Sequence, residues 1–104
     1  VLIKAEALAR LNQLAAAVAE YNKVRVRAGL APHTLGVEVT TQADVINAIA
    51  KERRLELALE GDRWPDLVRL GTATIVLGIT QNQTLFPIPA NDVNTAGLTQ
   101  NPGY

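Results

Sequence analysis

The stretch KERRLELALEGDRW, Lys51 to Trp64, sets eight charged side chains among leucines, alanines and one tryptophan. Glu52, Glu56 and Glu60 stand four residues apart, so a helix carries them on one side. Like charges at that spacing repel slightly, and cations should face them. Arg53 is three residues from Glu56, and Arg63 three from Glu60. Upstream, Lys23 and Arg27 are four apart, with Arg25 between them. An ion-pair network between adjacent helices, with Trp64 packed over it, accounts for all of these residues. Partly buried pairs of this kind fix geometry more than they add stability.

Two chemical readings compete with it. In a carboxylate metal site the three glutamates could supply oxygen ligands, but the Glu-x-x-His spacing of di-iron bundles is missing. Sugar hydrolysis needs two carboxylates flanking a cleft, and successive turns of one interior helix make a poor cleft wall. The stretch is therefore expected to be framework. No catalytic, cofactor-binding or metal-binding residue is assigned, and the ligand-binding residues stay unknown.

Working outward, the same helix is predicted over about 42–60. Thr41 followed by Asp44 resembles a capping box. Val45, Ile46 and Ile49 early and Leu55, Leu57 and Leu59 late make the helix apolar on more than one side, as a sandwiched helix is. Gly61 should close it. Asp62 can cap a short fourth helix, about 63–70, with Pro65 tolerable in its first turn. Before this, Leu8, Leu11, Ala15 and Val18 repeat in three- and four-residue steps. That predicts two antiparallel helices, about 1–11 and 14–28, turning at Asn12-Gln13, where Asn tolerates the left-handed conformation. Gly29 ends the second, Pro32 prevents its resumption, and a loop occupies 31–41.

Thr72 to Thr80, TATIVLGIT, is open between strand and short helix, its β-branched residues favouring the strand. Beyond it, Pro87, Pro89 and Pro102 with scattered Asn and Gly leave no room for a regular helix. This part is expected to be an extended tail tied down by Leu85, Phe86, Ile88 and Leu98. The fold class is all-α, in antiparallel helix pairs with an irregular C-terminal tail.

With 104 residues the chain suits one small domain. Its 48% apolar content with 4% aromatics calls for an aliphatic core. A formal net charge of zero removes the broad attraction a nucleic-acid partner requires. Without cysteine there is no disulfide, thiolate metal site or thiol nucleophile. No apolar run approaches the roughly 20 residues of a membrane helix, and no signal peptide is visible. Lacking methionine and opening at Val1 inside a helical pattern, the chain reads as a piece of a longer protein. His33, the single histidine, is expected to be a solvated loop residue, having no Ser, Cys or second His nearby. Trp64 suits stacking on a sugar ring, yet its leucine-rich surroundings favour helix packing. There is no glycine-rich phosphate loop.

Four blocks occur in order: EYNKVRVRAGL (Glu20–Leu30), INAIAKERRLELALEGDRWPDLVRLG (Ile46–Gly71), LFPIP (Leu85–Pro89) and LTQNPGY (Leu98–Tyr104). Together they resemble the C-terminal portion of the SusD/RagB family over nearly the whole chain. The resemblance implies tetratricopeptide-like helix pairs in an α-α superhelix, on a lipid-anchored outer-membrane protein at the cell surface. It implies glycan or other nutrient binding without cleavage, and partnership with a SusC-like TonB-dependent transporter. No cofactor is implied. Glycan contacts in that family come from variable loops, so no family-wide ligand residue maps onto this chain. Pro65 departs from the aromatic residue usual after the tryptophan, and should bend or shift the start of the fourth helix. The family pattern also favours a short helix for 72–80. As a piece of a longer protein, the chain should leave an apolar face unpartnered and self-associate. The alternative is a free-standing tetratricopeptide-like protein-interaction module.

Overall fold

A computed structural model describes all 104 residues. Six α-helices follow one another: α1 (Leu2–Arg10), α2 (Leu14–Arg27), α3 (Gln42–Glu56), α4 (Arg63–Arg69), α5 (Ala73–Leu77) and α6 (Ala90–Ala96). A 3₁₀ turn spans Asn82–Thr84. There is no strand, only a single bridge between Leu35 and Val39. The residues form two compact units, Val1–Arg63 and Trp64–Tyr104.

In the first unit, α1 packs on both α2 and α3, and α2 on α3. Ala5, Ala9 and Ala17 are completely buried, and their small side chains let the helix backbones approach closely. Tyr21, Val45 and Ile49 fill the space between. The aliphatic Val45 and Ile49 each contribute about 1.5–3 kcal/mol by leaving water. The link from α1 to α2 turns at Asn12, whose φ of 59° is left-handed. Asn12 N–H donates to Ala9 O and Gln13 N–H to Leu8 O, the paired bonds of a Schellman ending. Gly29 repeats the arrangement after α2, with Gly29 N–H on Val26 O and Leu30 N–H on Arg25 O. The Thr41 capping box forms as expected: Asp44 N–H donates to Thr41 Oγ1 at 3.1 Å, and Thr41 N–H to Asp44 Oδ2 at 2.8 Å.

α3 is shorter than its pattern suggested. It stops at Glu56, four residues before Glu60, and Leu59 takes a left-handed φ of 69°. Its buried residues are Val45, Ile49, Glu52 and Arg53, all on one side. Leu55 and Leu59 are exposed, so within this unit the helix is not sandwiched. Helical stability comes mainly from packing of a buried face. The helix ends one turn past its last buried residue, and Gly61 is not needed to end it.

The second unit has little apolar core: Leu67 and Ala73 are its buried hydrophobic residues. TATIVLGIT forms the short helix α5, closed by Gly78 in the left-handed conformation. The tail is mainly irregular, yet α6 forms where no helix was expected. The breakers bracket it: Pro89 precedes its first residue, Gly97 follows its last, and Ala90–Ala96 contains neither type. Leu85, Phe86 and Leu98 are largely exposed and do not anchor the tail by burial. Polar side chains do so instead. The Gln100 amide accepts from Ile88 N–H and donates to Ile88 O, both at 2.8 Å. Asn101 Nδ2 donates to Phe86 O, and Tyr104 Oη to Leu85 O. LTQNPGY thus clasps the backbone of LFPIP.

Candidate functional site

The charged stretch was the sequence's main candidate for chemistry, and α2 and α3 decide its use. Arg25 Nη1 lies 2.5 Å from Glu52 Oε1. Both side chains are withdrawn from water, at 14% and 4% exposure. Arg25 Nε also donates to Ala31 O at 2.9 Å, tying the loop after α2 to the same guanidinium. Nearer the helix ends, the more exposed Arg27 pairs with Glu56. Two arginines of α2 therefore hold two glutamates of α3, as the spacing suggested.

The rest of the predicted network differs. Lys23 stays within its own helix and donates to Glu20 at 2.6 Å. Lys4 of α1 reaches the same carboxylate at 3.7 Å. The Lys23 bond, with both lysine charges, holds the Glu20 carboxyl below the usual carboxylate range. Glu60 lies outside α3 and is exposed, so the acidic stripe comprises two residues rather than three. Trp64 falls in the second unit, where its ring lies 6.0 Å from that of Phe86. No three carboxylates or histidines come together as metal ligands would. Every buried side-chain nitrogen and oxygen has a partner.

His33 is more than a solvated loop residue. Its Nδ1 lies 2.9 Å from Tyr21 Oη, and the two rings meet edge to face at 5.7 Å. Asn22 grips the His33 backbone from both sides, its Nδ2 donating to His33 O and its Oδ1 accepting from His33 N–H. Burial raises the Tyr21 hydroxyl above its ordinary pKa. The Glu38 carboxyl, accepting from Thr34 N–H at 2.6 Å, is held below its ordinary value by backbone hydrogen bonds. These contacts fasten the loop between α2 and α3 to the core.

Sequence reasoning missed this clasp, because nothing in local spacing links Asn22 or Tyr21 to a residue eleven or twelve positions on. It also missed Gln42, whose amide donates to Ala9 O at 2.8 Å and caps the end of α1. The first unit has a shallow hollow of about 510 Å³ beside the Asn12–Gln13 turn and Leu35, and a more enclosed one of about 400 Å³. Leu2, Val24 and Leu57 give it an aliphatic lining, and Arg27, Arg53, Glu56 and Asp62 supply charge. It lacks an aromatic platform, and its Arg27 and Glu56 are already paired with each other.

Comparisons with known proteins place the chain among others of similar sequence. The model of the SusD family matches residues 1–78. A SusD-like protein P38 of Formosa agariphila is 37% identical over 98 residues, covering 84% of this chain and 19% of the relative. A SusD-like protein P2 of the same organism is 34% identical over 123 residues, covering 99% of this chain and 24% of the relative. The chain thus spans about a fifth to a quarter of the length of these relatives. No solved structure matches it significantly.

Proposed function

The chain belongs to the SusD family, and from that premise we propose that it is the non-catalytic scaffold portion of a cell-surface nutrient-binding lipoprotein. The parent protein captures a glycan and delivers it to a TonB-dependent transporter of the outer membrane. Residues 1–104 are its C-terminal part, with helix pairs over about 1–28 and 42–70 and a tail over about 71–104. Anchoring is by lipid rather than by a membrane helix, and no helix here is long and apolar enough to cross a membrane. Glycan contacts lie outside this chain.

One observation carries the reading. Glu52 and Glu56 of the central stretch are paired across to Arg25 and Arg27 of α2. A carboxylate pinned by an arginine at 4% exposure is neither a free base nor a reachable acid.

Two measurements test it. The full-length parent should retain glycan on an affinity gel without releasing reducing ends, and deleting its gene should stop uptake of that glycan. The isolated chain should retain little or none. Glycan hydrolysis by this chain that Glu52→Gln or Glu56→Gln abolishes, with melting temperature unchanged, would falsify the scaffold reading.

A further inference from the structure

We propose that the loop between α2 and α3 is a proton-released clasp, closed while the His33 ring is neutral and loosened once the ring takes a proton. The device belongs to the loop itself and is independent of the scaffold reading. Residues 28–41 contain no helix, and side chains hold them in place. Arg25 Nε donates to Ala31 O, Asn22 grips the His33 backbone, and Asp44 Oδ2 accepts from Thr40 N–H. Amides, guanidinium groups and carboxylates ordinarily keep their protonation states between about pH 8 and pH 5. The Tyr21–His33 bond does not share that constancy, because a histidine ring ordinarily changes charge within this range.

Tyr21 is completely buried, and its hydroxyl makes one hydrogen bond, to His33 Nδ1. Burial keeps that hydroxyl protonated, so it is the donor, and Nδ1 of the neutral ring accepts. A further proton on the ring places N–H on both nitrogens. Nδ1–H can then point at Tyr21 Oη, but the hydroxyl proton has lost its acceptor inside the core. An unpaired buried donor carries its full desolvation cost, and that cost is relieved when the half-buried ring swings out and water enters. The surrounding charges do not cancel this. Arg25 of α2 and Glu52 of α3 face the pair as an ion pair, so their fields oppose each other. Glu38 of the loop attracts a charged ring, yet it is exposed, where water screens it, and it already accepts from Thr34 N–H. Opening therefore frees the connection, while Arg25–Glu52 and Arg27–Glu56 keep the two helices together.

Hydrogen exchange at the His33 and Gly36 amides tests the clasp. These amides donate to Asn22 Oδ1 and Val39 O, so their protection reports a closed loop. Exchange is read at about pH 7.5 and about pH 5.5, both above the usual carboxylate range, and corrected for its intrinsic pH dependence. Protection should fall about tenfold at the lower pH, the factor of one lost hydrogen bond. Amides inside α2 should stay within about twofold, since the helix itself is not opened. Tyr21→Phe keeps the ring and removes the hydroxyl, so its loop protection should differ by less than about twofold between the two pH values. His33→Gln, which offers an acceptor and takes no proton, should behave likewise. Should either variant not fold, the unaltered protein decides by nuclear magnetic resonance: the loop amides should shift with the same midpoint as the His33 ring. Equal protection at both pH values overturns the clasp. Protection that rises at the lower pH also overturns it, because attraction to Glu38 would then dominate. So does a full step surviving in Tyr21→Phe, since the hydroxyl would then have no part in it.

Discussion

Residues 1–63 and 64–104 satisfy their polar groups in different ways. Seventeen of the twenty charged side chains lie in the first segment; Asp66, Arg69 and Asp92 are the only ones in the second. In the first, guanidinium–carboxylate pairs bind α2 to α3, and small residues let three helices meet. In the second, one such pair, Arg69 with Asp66, stays within α4, and the tail is held by uncharged side chains that bind backbone. Pro87 and Pro89 have no N–H to give, so LFPIP cannot be held by an ordinary ladder. Gln100, Asn101 and Tyr104 supply the missing partners from their side chains. Charge serves where two regular helices present side chains at fixed spacing. Amides serve where an irregular backbone has to be met one group at a time.

The largest expected effect comes from the buried pair. Glu52→Ala leaves Arg25 withdrawn from water without its carboxylate, and should cost about 3–5 kcal/mol in a denaturant titration. Replacing both partners with leucine and methionine should recover most of that loss. If the single change proves nearly neutral, the contrast between the two segments fails. Gln100→Ala is the matching test in the second segment. It removes three hydrogen bonds to backbone, two at Ile88 and one from Asn101 N–H, and should cost about 1–3 kcal/mol, with little dependence on salt. Hydrogen exchange at the Ile88 amide should rise with it. Thr41→Ala removes one half of the capping box and should cost about 1 kcal/mol by thermal melting. Smallest is Glu60→Gln, an exposed residue outside α3, expected to stay within about 0.5 kcal/mol.

Acid sharpens the same contrast. Hydrogen bonds from Thr41 and Thr40 hold the Asp44 carboxyl down at about 2. A carboxyl whose folded pKa is depressed adds stability above its unfolded value, about 3.9, and loses it as pH falls through the folded value. The start of α3 should therefore weaken between about pH 4 and pH 2. Circular dichroism across that range should show the loss, and Asp44→Asn should remove its pH dependence. The second segment, with two carboxylates between residues 64 and 104, should respond less.

Much of the helical part was legible locally. Asn12 and Gly29 marked their helix ends because few residue types accept a left-handed φ. Thr41 and Asp44 marked a beginning because the capping box is a contact over three residues. Spacing showed that cations of α2 should face the glutamates of α3, since helices display side chains at a known period, but it set Arg53 rather than Arg27 against Glu56. The end of α3 could not be read, because it depends on where packing ceases rather than on Gly61. The helix Ala90–Ala96 was hidden by counting breakers without noting that they fall outside its seven residues. His33 was misjudged because its partners, Tyr21 and Asn22, belong to another element.

By itself the sequence determined the all-α class, the helix pair at the start, the cap of α3 and that cations of α2 face glutamates of α3. All of these follow from contacts within a few residues or from the helical period. Only the tertiary structure decided that α3 stops at Glu56, that LTQNPGY closes over LFPIP, and that Tyr21 meets His33. Burial and long-range hydrogen bonds depend on which segments come together, and local spacing does not encode that.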